Sequence, residues 1–338
     1  MKPSVYITID VECSMGGAWG NRELRPVSPS RAVWGEYYNN KFGLPLIIDI
    51  LSRNKLAATF FVEAFMDEQG YPGQAEPICQ FLLNHGQDVQ LHIHPNHKHY
   101  ALSLQQEPYP FTDQMADLEP EAQHALLKEG FERIMRWTCR PPVAFRAGNM
   151  GASEETLKQL AAVGIRIDSS YSFPMAGDRC RFGSAESYNG SRWYDDVLEL
   201  ALSGFYGPHF LGLHPSKPLD LMGISFEECR DAIYKICECG TDAVVILHSF
   251  SLFKVRNIQY DGGRLNWIVA RRFQRLCEWL TENRSKFRVC TFAELAMDIE
   301  SNQYEARAVP PCKLAGPQAA LRALARKAVQ AYNRFYRT

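Results

Sequence analysis

No stretch of the 338-residue sequence approaches the roughly 20 consecutive apolar residues that a membrane-spanning helix needs. The opening MKPSVYITID also lacks an apolar run of signal-peptide length, so the expected compartment is the cytoplasm. An excess of one charge is missing too: 37 Lys and Arg stand against 38 Asp and Glu, for a net charge of -1. A protein built to neutralise a phosphate backbone carries a basic surplus, so nucleic acid is not the expected partner. The ten cysteines show no Cys-x-x-Cys and no paired zinc-ribbon spacing. They read as reduced, mostly buried thiols, and the nearest pair, Cys237 and Cys239, as incidental. There is no internal repeat and no low-complexity tract, which excludes solenoids and propellers.

What is present is the composition of a soluble enzyme, 46% apolar and 22% charged, with length for one large α/β domain and a tail. Short apolar runs that end in polar residues occupy 4–10, 57–62, 88–94, 143–145, 165–168, 243–248 and 287–291. Segments of helical periodicity lie between them, at 44–53, 76–85, 121–138, 153–163, 225–239 and 265–283. Such alternation predicts βα repetition with parallel strands, as a barrel or an open sheet. Ser153, followed by Glu154 and Glu155, is an N-cap that starts one helix just after a Gly-rich turn. Two long connections, 13–42 and 95–118, follow strand ends, where α/β folds carry substrate contacts.

The sequence divides into a barrel-like domain at 1–298 and an extension at 299–338. Within the extension, 317–338 has five basic residues and no acidic one, and its apolar residues recur at spacings of three and four. That is a basic amphipathic helix. It suits either a peripheral position on an anionic membrane or packing on its own domain or a second subunit, which would make a homo-oligomer.

Chemistry gathers at the strand ends. Asp10 and Glu12 lie two residues apart on an extended segment and so share a side. Two adjacent carboxylates ionise together at low cost only beside a cation, so a metal site or a proton-sharing pair follows, with a solvated strand end that caps a nearby helix as the plainer reading. His92 and His94 share one face of the run 88–94, and Pro95 closes it, forming a two-histidine clamp for zinc or a similar metal. His97, beyond Pro95, is the alternative second ligand, and His99 reads as a loop histidine. Arg146 ends another strand, where a guanidinium can hold a carboxylate by paired hydrogen bonds. His248 ends an almost wholly apolar strand, a position that suits either a core histidine or an acid/base.

In this order, Thr8-x-Asp10-x-Glu12, Ala58-Thr-Phe-Phe-Val62, His92-x-His94, Phe145-Arg146-Ala-Gly, Asp168-Ser-Ser-Tyr and Ile246-Leu-His248-Ser resemble the polysaccharide deacetylases of the NodB-homology superfamily, carbohydrate esterase family 4. The likeness runs from Val5 to about Ala296 and includes the closing run Phe287-Arg-Val-Cys-Thr-Phe-Ala-Glu-Leu295. It implies a distorted (β/α) barrel of seven or eight mostly parallel strands and one divalent metal, commonly zinc. It also implies that Asp10 is the catalytic base, Glu12 and His92 are metal ligands, Arg146 orients the base, His248 is the general acid and Leu247 lies beside the acyl pocket. Many members carry adjacent Asp-Asp and His-x-x-x-His; this chain has Asp-x-Glu, Asn96 at the i+4 position, and a His-x-His-Pro segment like that of a variant branch.

The expected activity is removal of an N-acetyl or N-formyl group from a nucleotide- or lipid-linked sugar during surface polysaccharide or lipopolysaccharide assembly. Trp19 and Trp34, in the first long connection, are candidates for stacking on sugar rings. Two competing readings are a catalytically inactive carbohydrate-binding or assembly barrel and a histidine-rich metal-handling protein.

Overall fold

The computed structural model describes residues 2–105, 111–177, 179–183, 186–208, 215–317 and 319–325. The first five apolar runs form strands β1 (Ser4–Val11), β2 (Thr59–Glu63), β3 (Asp88–Ile93), β4 (Ala144–Ala147) and β5 (Ile167–Asp168). An antiparallel pair follows, β6 (Asn189–Tyr194) and β7 (Val197–Leu200), and then β8 (Ala243–His248), β9 (Arg288–Cys290) and β10 (Ala308–Val309). The sheet order is β8-β1-β2-β3-β4-β5-β7-β6-β10, with β9 paired to the start of β1. β1 to β5 and β7 to β9 are joined by parallel pairings, as expected of the repeating pattern.

The sheet curls into a half-barrel. Across its open side the chain after β7 returns to β8: Ser203 N donates to Val244 O at 3.3 Å and Ile246 N to Leu219 O at 3.0 Å. Alternation along each strand then separates two cores. Val5, Ile7, Ile9 and Val11 of β1 and Val89, Leu91 and Ile93 of β3 face outward into the main core. Tyr6 of β1, Phe61 of β2, Ala144 of β4 and Val244 and Ile246 of β8 face inward, in a second core closed from below by Phe292. The ring of Phe292 meets those of Tyr6 at 5.3 Å and Phe61 at 5.2 Å. Inward positions nearer the carboxyl ends sit above this apolar plug. They are the polar residues.

The helices are α1 (Leu44–Arg53), α2 (Ala75–Asn84), α3 (Pro95–Ser103), α4 (Pro120–Thr138), α5 (Glu154–Val163), α6 (Phe226–Glu238), α7 (Trp267–Glu282) and α8 (Phe292–Glu300). Six of them match the expected segments to within two residues. Ser153, Ser225 and Thr291 close reciprocal capping boxes at the starts of α5, α6 and α8. α3 occupies the start of a segment expected to be a loop, because its sequence has no apolar stripe; Pro95 at its first position supplies a helical φ directly after His94. The β6–β7 hairpin was also not anticipated. Its first strand, NGSRWY, lacks apolar alternation, and the turn places Asp195 at φ 47°.

Seven of the ten cysteines are buried, and all ten are free thiols. The first part of the extension lies along the barrel edge: β10 pairs with β6, Cys312–Lys313 pairs with Gly204–Tyr206, and Tyr304 donates from its hydroxyl to Ser191 at 2.7 Å. Residues 318 and 326–338, most of the expected amphipathic helix, lie outside the described residues. Among the described residues no helix is long and apolar enough to cross a membrane.

Candidate active site and metal centre

Strand register brings the polar residues to one height. Asp10 on β1 is opposite His248 on β8, Glu63 on β2 opposite His92 on β3, and His92 opposite Arg146 on β4. All belong to the carboxyl ends of parallel strands, the mouth of the half-barrel.

Arg146 is fully buried and crosses the interior to Asp10, itself 2% exposed. Its Nη1 donates to Asp10 Oδ1 at 2.7 Å and to Thr8 Oγ1 at 2.9 Å. Its Nε donates to Ser169 O at 3.1 Å, and Nη2 to Ser169 Oγ at 3.1 Å. The guanidinium lies over Phe61, 4.3 Å from the ring centroid. A desolvated cation is tolerable only with such a complete set of acceptors and a counter-charge. The arrangement holds Asp10 in a single orientation, with its second oxygen free to accept a proton.

Beside Asp10, one ligand atom each from Glu12, His92 and His94 falls within 4.8 Å of the others. His92 Nδ1 donates to the Arg146 carbonyl at 2.7 Å, so Nε2, 3.3 Å from Glu12 Oε2, is the nitrogen that faces the cluster. His94 bonds through Nδ1 to Asp113 Oδ1 at 2.7 Å and turns Nε2 to Glu12 Oε2 at 2.5 Å. Burial pushes Glu12 upward, but the His94 charge and hydrogen bonds from both histidines outweigh it and hold the carboxyl well below its usual range. For His94 burial acts downward, and Glu12 and Asp113 overcome it, raising the imidazole well above its usual value. His92 is raised as well, by its hydrogen bond to Glu12 and by Asp10, against burial. The pocket therefore favours positive charge between two imidazoles and two carboxylates. Two neutral histidines fixed through their outer nitrogens, together with one carboxylate, fit a zinc-like divalent ion and leave a coordination position open.

His97 is carried elsewhere. Because Pro95 starts a helix, His97 lies one step along α3, stacked on the His94 ring at 4.8 Å, with Nδ1 3.5 Å from the buried Glu63. Its ring nitrogens are outside the Glu12 cluster. His248 has Nε2 3.8 Å from Glu12 Oε1 and stacks on Phe250 at 4.9 Å. Leu247 is fully buried in the main core. Trp19 meets Tyr100 of α3 at 6.3 Å and Phe111 at 5.1 Å, next to the mouth. Trp34, the other stacking candidate, lies against the helical layer. Its ring packs on Phe81 of α2 at 5.1 Å, where it anchors the first connection to the helical layer.

Several residues escaped the sequence reading. Glu63 is buried and accepts from the backbone N–H groups of Phe65 at 2.9 Å and His94 at 2.7 Å, fixing the turn that aims His94. Its place at the end of a strand was the available signal. Asp113 had none, since it comes from an irregular segment 19 residues from His94. Asp220 lies beside β8, bridged to Ile246; burial raises its carboxyl, and the facing His248 acts most strongly against that. Gly148 explains the small residues after Arg146: a Cβ there would meet the His94 ring at 2.5 Å.

No protein-family model matches the chain, and no curated protein does. Solved structures do. A protein assigned as a polysaccharide deacetylase from Mycobacterium smegmatis superposes with a TM-score of 0.54 over 93% of this chain and 95% of its own, at 14% identity. The chain has the polysaccharide-deacetylase fold. Also matched, at lower scores, are the family 4 carbohydrate esterase from Streptomyces lividans, solved with acetate (12% identity, TM-score 0.44, 91% and 98% covered), and the peptidoglycan deacetylase PdaC from Bacillus subtilis (13%, 0.41, 89% and 94%).

Proposed function

We propose that the protein is a divalent-metal-dependent hydrolase that removes an N-acyl group, acetyl or formyl, from a sugar. The observation that carries this reading is the juxtaposition of an arginine-held carboxylate, Asp10, with the Glu12–His92–His94 cluster and His248 at one barrel mouth. The deacetylase fold supports it. A metal held by Glu12, His92 and His94 would supply an electrophile for the acyl oxygen and would acidify water. Asp10, immobilised by Arg146, takes a proton from the attacking water. The water oxygen adds to the acyl carbon as the carbonyl electron pair moves onto its oxygen; that pair then re-forms the C=O bond as the C–N bond breaks, and His248 gives a proton to the departing amine nitrogen. Amide and water thus become a free amino sugar and acetate or formate.

We extend the proposal to nucleotide- or lipid-linked sugars of bacterial surface polysaccharide or lipopolysaccharide, handled in the cytoplasm. Trp19, with Tyr100 and Phe111, supplies an aromatic surface beside the mouth for a sugar ring. The test is acid release from a panel of N-acetylated and N-formylated carrier-linked sugars by zinc-loaded protein. Asp10→Asn and His248→Gln are expected to lower kcat by about 10²–10⁴. If no acid is released while Asp10→Asn binds the same sugars unchanged, the protein is a binding barrel and the enzyme reading fails.

A further inference from the structure

Five of the 37 basic side chains and none of the 38 acidic ones fall within 317–338, so this segment carries +5 and the rest of the chain -6. In helical projection Leu321, Leu324, Ala325, Ala328, Tyr332 and Phe335 fall on one arc, and the arginines and Lys327 fall on the other. The structure describes 319–325 of this segment as helical and shows which side of that turn meets the barrel. Ala319 is 8% exposed, and Arg322 is paired with Asp231 of α6. Leu321 and Leu324, on the other arc, are 66% and 60% exposed. The apolar stripe therefore begins facing away from the protein, anchored from behind by a salt bridge. Neither core uses these leucines.

Charge decides what covers the stripe. A second copy of the chain would bring another +5 segment against the first, and like charges across an interface oppose association. An anionic bilayer satisfies both arcs: leucines and aromatic rings enter the interfacial zone while the flanking guanidinium and ammonium groups reach lipid phosphates. We propose that residues 317–338 dock the protein on an anionic membrane surface through this stripe. The proposal is independent of the reaction at the barrel mouth.

The test is co-sedimentation of the full chain with phosphatidylcholine vesicles, with and without phosphatidylglycerol. Binding is expected only to the anionic vesicles and should weaken as salt rises. Leu321→Asp with Leu324→Asp, and separately Arg334→Glu with Arg337→Glu, are each expected to weaken it by about tenfold or more. Circular dichroism and melting of these variants should stay as in the parent, since the leucines are exposed. Equal binding to neutral vesicles, no binding to either, or binding that survives both pairs of substitutions overturns the proposal. A dimer in solution that the leucine substitutions dissociate, with no vesicle binding, assigns the stripe to a second copy instead.

Discussion

Replacing Arg146 with methionine removes the guanidinium that donates to Asp10 across the barrel and keeps much of the side-chain volume. The structure sets the size of the effect. Arg146 is fully buried, Asp10 is 2% exposed, and four hydrogen bonds leave the guanidinium for Asp10, Thr8 and Ser169. Breaking a buried pair from one side leaves an uncompensated charge and costs about 3–5 kcal/mol. Thermal unfolding of the metal-free protein should show it as a fall in Tm of at least about 5 °C. Combining Arg146→Met with Asp10→Asn removes the stranded charge, and the double variant should recover more than half of the loss. The cycle separates charge from packing, because methionine at 146 is common to both proteins. A loss below about 1 kcal/mol for Arg146→Met, or a double variant no more stable than the single, would refute the account of Asp10 as a carboxylate held by this ion pair.

Further outcomes follow from the same geometry. His94 is raised well above 6.5 by Glu12 and Asp113, so it carries a proton near neutral pH that a metal must displace. Zinc titrations at pH 7 in two buffers of different ionisation enthalpy should therefore reveal proton release; equal heats would contradict the cluster. In the metal-free protein, the raised His94 stabilises fully below pH 6.5 and progressively less as pH climbs through its folded value. The lowered Glu12 stabilises above pH 4.5 and loses this as pH falls through its folded value, so the gap in melting temperature between parent and His94→Gln should be widest between pH 4.5 and 6.5. Gly148→Ala drives a methyl into the His94 ring and should weaken zinc binding by about tenfold or more in chelator competition, with about 1–3 kcal/mol lost in stability. Trp34→Ala should cost about 2 kcal/mol while leaving KM for the sugar unchanged, because its ring packs on Phe81; a large rise in KM would return Trp34 to the substrate.

The sequence alone determined the parallel strands and where the chemistry stands on them. A strand alternates with period two, so Gln90, His92 and His94 had to share a face, and the apolar residues between them had to face the other core. Ser153 could be read as a cap because capping is a local hydrogen bond. Three things waited for the tertiary structure. Choosing between His94 and His97 depended on Pro95 starting a helix rather than a turn, which has no apolar stripe to announce it. Asp113 and Asp220 reach the site from irregular chain, where position relative to a strand end carries no periodic signal. An aromatic residue suits a sugar and a helix equally well, so the packing of Trp34 on the Phe81 ring 5.1 Å away, on α2, was visible only in the fold. Local periodicity decides which residues face inward; which of them touch is decided by register and by how far the sheet curls, and those are properties of the whole fold.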